Sequence, residues 1–230
     1  VVSKYKAMGT ASFVVKIDDY LPELLKLFVS RCGFSQISYE KLWQIKDTDA
    51  SYSRNEFRTF RNSDSPTVAA LYNESLLPHF RPLLSKDAKE FKEVYFKGLS
   101  YFDEYKYVIE DKKSKNIVCY ISIHTTDNEN YIVDIVQSSW ANIDLRAILA
   151  FANAQIKKRK NKFNLYVKTK KYTQLGEKYE QEFVQNKYEC VQNQIVLTNS
   201  SAKIIRDSAS SGRFVLLNQF CGNAPLCKDL

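Results

Sequence analysis

Two carboxylates stand in otherwise apolar strand patterns: Asp134 within Tyr131-Ile132-Val133-Asp134-Ile135-Val136-Gln137, and Glu110 at the end of residues 105–110. A strand carboxylate beside a cleft can take a proton from an amine if burial raises its pKa. Asp134 and Glu110 are therefore general-base candidates, the alternative being an exposed or ion-paired side chain. The densest charge run is Lys157-Lys158-Arg159-Lys160-Asn161-Lys162. At the end of a helix such cations complement the helix dipole, and they also form a patch for phosphate backbones or an acidic protein surface. Other chemistries are poorly supplied. His79 and His124 are isolated, so no zinc constellation is spelled out and no metal is expected. With 6 glycines the chain is short of the material for glycine-rich phosphate loops. The five cysteines (Cys32, Cys119, Cys190, Cys221 and Cys227) are odd in number and mostly embedded in apolar patterns. That usage fits reduced intracellular thiols better than a disulfide framework.

The elements that must position these residues follow from hydrophobic spacing. Residues 12–17 read as a strand, 21–30 as a helix with Leu21, Leu24, Leu25 and Phe28 on one stripe, and 36–45 as a strand. Gly33 stands where a left-handed helix cap is wanted. Residues 47–55 are polar and read as a linker. A strand is expected over 56–62. A helix opening at Asp64-Ser65-Pro66 follows, with Val68, Leu71, Tyr72 and Ser75 inward. Residues 86–98 suggest another helix, with Ala88, Phe91, Val94 and Tyr95 inward. Strands over 105–110 and 116–125 flank a polar turn at 111–115, and 131–137 is a third apolar strand. A helix over 143–158, a strand over 163–168, a helix over 174–185 and a closing strand over 188–197 complete the set. No run of 18 apolar residues crosses a bilayer. At 230 residues, 44% of them apolar, the chain can bury a sizeable core, and its net charge of +8 favours anionic partners.

One stretch occurs twice. Val15-Lys16-Ile17-Asp18-Asp19-Tyr20, running on to Gly33-Phe34, is echoed by Val167-Lys168-Thr169-Lys170-Lys171-Tyr172, running on to Lys187-Tyr188. The offset is 152 residues at Val15 and 154 at Phe34. Such an echo at domain spacing marks a duplicated unit. The order of elements from 56 to 197 (strand, two helices, three strands, helix, strand, helix, strand) resembles the GNAT superfamily of N-acetyltransferases. Leu165-Tyr166-Val167, the helix after it and Lys187-Tyr188-Glu189-Cys190-Val191 look like that family's strand, helix and Gly-Phe turn into the last strand. Gly33-Phe34 matches the dipeptide literally. The resemblance implies a central mixed, mostly antiparallel sheet flanked by helices, preceded by a partial β-α-β repeat of the same fold as in tandem-GNAT proteins. The implied segments are 1–46 for the partial repeat, 47–55 for the linker, 56–206 for the GNAT-like domain and 207–230 for a flexible linker and docking tail.

In that family a loop of the form Arg/Gln-x-x-Gly-x-Gly/Ala, with the helix N-terminus behind it, holds the pyrophosphate of acetyl-CoA. The positions here are Val136, Ser138, Trp140, Asn142 and Ile143, with Trp140 at the Arg/Gln place and branched Ile143 and Leu145 at the small-residue places. Branched side chains would crowd a phosphate. The family's general-acid tyrosine falls on Phe183, and on Val29 in the front copy; neither donates a proton, and Tyr179, one helical turn away, is the substitute. The expected catalytic pair is therefore Asp134 and Tyr179, the expected cofactor acetyl-CoA if the protein is active and none otherwise. A catalytically degenerate GNAT-fold protein is the first expectation, a basic interaction or structural subunit of a larger assembly. The alternatives are an atypical acyl-CoA-dependent N-acetyltransferase acting on a small-molecule or protein amine, and a nucleic-acid-binding accessory protein using Lys157, Lys158, Arg159, Lys160 and Lys162. The expected setting is intracellular, soluble or peripheral, in a bacterial cytoplasm or an organelle interior after removal of a targeting segment.

Overall fold

Alternation of apolar and polar residues fixes which face of each strand is buried, and four helical segments supply the cover. The computed structural model describes residues 12–46, 57–93 and 103–200. The expected linker at 47–55 and the tail at 207–230, with Cys221 and Cys227, lie outside the described residues. The described chain runs β1 (Ser12–Asp18), α1 (Pro22–Lys26, continued by a π-helical turn Leu27–Arg31), β2 (Ser35–Ile45), β3 (Phe57–Thr59), α2 (Ser65–Ser75) and α3 (Arg81–Leu84). It continues with β4 (Asp103–Glu110), β5 (Ile117–Thr125), β6 (Asn130–Gln137), α4 (Leu145–Lys157), β7 (Asn164–Lys170), α5 (Gly176–Gln185) and β8 (Glu189–Ser200). Among the described residues the strands form one sheet in the order β1-β8-β2-β7-β6-β5-β4-β3. The β6–β7 pair is parallel and every other neighbouring pair is antiparallel. The sheet is thus mixed and mostly antiparallel, with helices on both faces.

One face carries Trp43, Val133, Ile135, Leu165 and Val167 under α4 and α5, which contribute Ile148, Leu149, Ala152, Ile156, Tyr179 and Phe183. The other carries Val108, Tyr120, Val136 and Val196 under Val68, Leu71 and Tyr72 of α2. A smaller core holds α1 against the sheet through Leu25, Phe28, Phe34, Ile17, Ile195 and Leu197.

The repeated unit does not precede the larger sheet as a separate piece. Its closing strand β2 enters between β7 and β8, while β8 lies between β2 and β1. Each copy's last strand therefore pairs with the other copy's first strand. The registers confirm a pseudo-two-fold relation: Val15 faces Leu197 across β1–β8, and Val167 faces Trp43 across β7–β2, matching under the offsets of 152 and 154. The central β2–β8 pair maps onto itself. Glu40 faces Gln194 on the axis. Irregularities between Gln36 and Ser38 and between Leu42 and Trp43 leave Ile37 and Val191 as the extra residues, again 154 apart. Gly33 has φ 68° and Lys187 has φ 57°, so both copies turn from helix to closing strand through one left-handed residue.

Three elements differ from the expectation. The helix over 86–98 is only a 3-10 turn, Ala88–Glu90, among its described residues. Asp87 and Glu90 cap that turn reciprocally, and Lys106 Nζ takes the carbonyl of Phe91 at 3.0 Å. Val94 and Tyr95 lie outside the described residues. The strand over 56–62 is described as Phe57–Thr59, because Asp64 folds back on Arg61 N–H at 2.8 Å and starts a helical turn. The helix over 143–158 starts at Leu145, where Asp144 caps it.

Candidate functional site

The parallel pair β6–β7 is in register from Asn130–Asn164 to Asp134–Lys168. Beyond that point β6 runs on to Gln137 paired with β5, and β7 runs on to Lys170 paired with β2. The two strands thus part and leave a wedge. Side chains bridge it on both faces. On the α2 face, Lys170 Nζ reaches both Asp134 oxygens, at 2.6 and 2.8 Å. On the other face the Tyr179 hydroxyl donates to Gln137 Oε1 at 2.6 Å, and Gln137 Nε2 donates to the carbonyls of Ala141 and Ile143 at 3.0 and 3.3 Å. Gly176 permits this arrangement. A Cβ there would lie 2.1 Å from the Lys170 carbonyl oxygen, so only glycine lets α5 start this close to β7.

This geometry gives Asp134 the ion-paired arrangement that is the alternative to a general base. Burial opposes its ionisation, but the charges of Lys170 and Lys168 and the Lys170 hydrogen bonds prevail and hold its pKa down at about 2. A carboxylate that acidic, with both oxygens engaged, is a poor proton acceptor near neutral pH. Glu110 is likewise paired, with Arg58. Burial pushes the Tyr179 phenol well above its ordinary value, so it stays protonated. Phe183 is buried against Trp43 and Tyr188 and offers no proton.

Three amides of the loop between β6 and α4 are hydrogen-bonded within the protein. Ser138 N–H donates to Val118 O at 2.9 Å, Ala141 N–H to Ser138 O at 3.2 Å and Ile143 N–H to Ala141 O at 3.0 Å. The Asp144 carboxylate accepts from Arg146 N–H at 2.9 Å, closing the α4 N-terminus with a negative charge. The five loop positions do not converge on one point: Val136 is buried under α2, Ser138 is buried, Ile143 packs toward the core, and Asn142 and Trp140 are exposed. Trp140, at 61% exposure, does not plug the wedge. A cleft of about 350 Å³ lies between this loop and α5, lined by Asn142, Ile143, Asp144, Leu145, Lys178, Tyr179 and Glu182. Its charged lining is two carboxylates against one ammonium. Branched side chains at Ile143 and Leu145 and the Asp144 carboxylate on the helix end match a pyrophosphate poorly.

The basic run divides at the far end of α4. Arg159 lies 3.9 Å over the ring of Tyr105 and donates to Gln155 O at 2.7 Å, and Lys158 reaches the Gln155 side chain at 3.4 Å. Lys157, Lys160 and Lys162, joined by Lys46, line a cleft of about 880 Å³ with Glu129 and Phe163.

Sequence reasoning missed the charge cluster on the pseudo-two-fold axis. Glu40, 1% exposed, accepts from the Tyr172 hydroxyl and pairs with Lys16 at 2.7 Å on one side and Lys168 at 3.8 Å on the other. Those two lysines are equivalent positions of the repeat. Burial works against the Glu40 charge, yet Lys16, Lys170 and Lys168 together hold its pKa below the usual value. The lysines stood in the echoed sequence, but nothing in it gave the register that joins them.

No family model matches the chain, and no curated protein matches it. Solved structures do. A tandem GNAT protein from the clavulanic acid biosynthesis pathway is similar at TM-score 0.52 and 8% identity, over 87% of this chain and 67% of that one. A GCN5-related N-acetyltransferase from Kribbella flavida is similar at TM-score 0.52 and 12% identity, over 87% of this chain and 73% of that one. Another from Sphaerobacter thermophilus gives 0.51 and 12% over 83% of this chain, which spans 60% of its length. With its parting parallel strands, its sheet order and these likenesses, the chain carries the GNAT fold.

Proposed function

We propose that this GNAT-fold protein does not hold acetyl-CoA at the family's usual place and works as an interaction or structural subunit. The observation that carries the proposal is the Asp144 carboxylate on the α4 N-terminus. A helix end attracts anions through unpaired amides and its dipole; here a built-in anion already takes one of those amides and part of the dipole, and a second would be repelled. The basic cleft of Lys46, Lys157, Lys160 and Lys162 favours an acidic partner surface. Titrating the protein with acetyl-CoA in a calorimeter should give no saturable heat up to about millimolar ligand. A dissociation constant in the micromolar range or tighter would sink the proposal.

A second reading, an atypical N-acetyltransferase, draws on one observation: the Tyr179 hydroxyl lies where β6 and β7 part and Tyr179 lines the adjacent cleft. The solved structures similar to this chain include several named as acetyltransferases. It requires CoA-dependent acetylation of an amine that is lost in Tyr179→Phe. Full activity in that variant would remove Tyr179 from the chemistry.

A further inference from the structure

Lysines from two distant parts of the sequence converge on one cleft, at the end of the sheet away from the wedge. We propose that this cleft binds an extended acidic peptide segment of a partner protein, with carboxylates on the lysines and peptide backbone on the carboxamides between them. The inference deepens the interaction reading above and rests on it.

The cleft lies between the last residues of β2 and the last turn of α4. Lys46 comes from the β2 side and Lys157, Lys160 and Lys162 from the α4 side, with Glu129 the one carboxylate among the described lining residues. Cations that merely offset a helix dipole gain nothing by facing a further cation brought from another element. Gathered in a concave space, they focus a positive field that draws anions. The run from 157 to 162 divides accordingly. Arg159 is engaged by the Tyr105 ring and the Gln155 carbonyl, and Lys158 by the Gln155 side chain. Lys157, Lys160 and Lys162 are exposed and make no ion pair among the described residues, while Lys46 pairs with Glu189 at 3.2 Å.

Two features select the ligand. Gln44, Asn153, Asn161 and Asn164 stand among the lysines; a carboxamide both donates and accepts, as a peptide backbone does. The floor is Ile45 and Leu165, both buried in the core, so a flat surface would meet the lysine tips and leave the cleft unfilled. At about 880 Å³ the cleft has room for a length of chain. Nucleic-acid bases call for a stacking ring. The aromatic in the described lining, Phe163, is half-buried and edge-on to Tyr131 at 5.8 Å.

The probe is a fluorescently labelled deca-glutamate peptide, followed by anisotropy against the full chain at low salt. We expect saturable binding that weakens at least about tenfold in the double variant Lys160→Glu, Lys162→Glu. The control Lys112→Glu, Lys113→Glu makes the same change in net charge on the turn between β4 and β5 and should cost less than about threefold. All the substituted side chains are exposed, and unchanged thermal melts would show that both variants fold. Absence of saturable binding, or equal loss in the two variants, overturns the proposal. So does tighter binding of deca-uridylate that only the cleft variant abolishes, since the cleft would then belong to nucleic acid. Asp47 and Asp49 come just after Lys46 in the sequence. If Asp47→Asn, Asp49→Asn tightens peptide binding by about tenfold or more, the occupant is the chain's own acidic stretch, a competitor at high effective concentration, and the proposal falls. None of these outcomes alters the acetyl-CoA titration, so failure here is distinct from failure of the reading it rests on.

Discussion

Lys170 and Asp134 hold each other in place where the sheet divides, and breaking that pair should be costly. Lys170 is buried and Asp134 half-buried; removing the lysine leaves the carboxylate uncompensated, so Lys170→Met should destabilise by about 2 kcal/mol in urea unfolding. The acid limb of the stability profile gives a second test. With its folded pKa lowered from 3.8 to about 2, Asp134 contributes roughly 2 kcal/mol. That contribution is present above about pH 4 and is lost as the pH falls through about 2; in Lys170→Met the limb should flatten. The sequence showed Asp134 as a carboxylate on an apolar strand. It could not show that Lys170, 36 residues away, would reach both oxygens, because that depends on where β6 and β7 part. The same limit hid Glu40, whose partners come from two strands, β1 and β7, and the turn after β7.

At the level of elements, spacing identified most of the strands and the helices α2, α4 and α5, since long apolar patterns at period 2 or 3.6 leave few alternatives. It failed over 86–98, where a reciprocal cap closes a single turn and a lysine claims the next carbonyl. The turn after α5 offers a clean test of the repeat. Lys187 holds a left-handed conformation that its counterpart Gly33 adopts at no steric cost. Lys187→Gly should stabilise by about 1 kcal/mol and raise the melting temperature by about 3 °C, and Gly33→Ala should lower stability by a similar amount. If both melts are unchanged, the backbone there relaxes out of that conformation.

For the whole molecule, the echo announced a duplicated strand–helix–strand unit but not its interleaving, because strand order is set by pairing partners that sequence similarity does not name. With β2 between β7 and β8, residues 35–45 lie in the sheet's interior. A chain starting at residue 47 would leave β7 and β8 with facing unpaired edges and strip Trp43 from Phe183. It should show no cooperative unfolding transition by calorimetry; a native-like transition would mean that the larger unit closes without β2. The axis itself carries a further consequence. If two front units met through β2 in the register that β2 and β8 use, Glu40 would face Glu40, and like charges directly opposite in a sheet repel. Gln194 on β8 removes that conflict and leaves a single carboxylate shared by two lysines. The asymmetry at one position thus disfavours the pairing of two front units and favours a front unit with a back one.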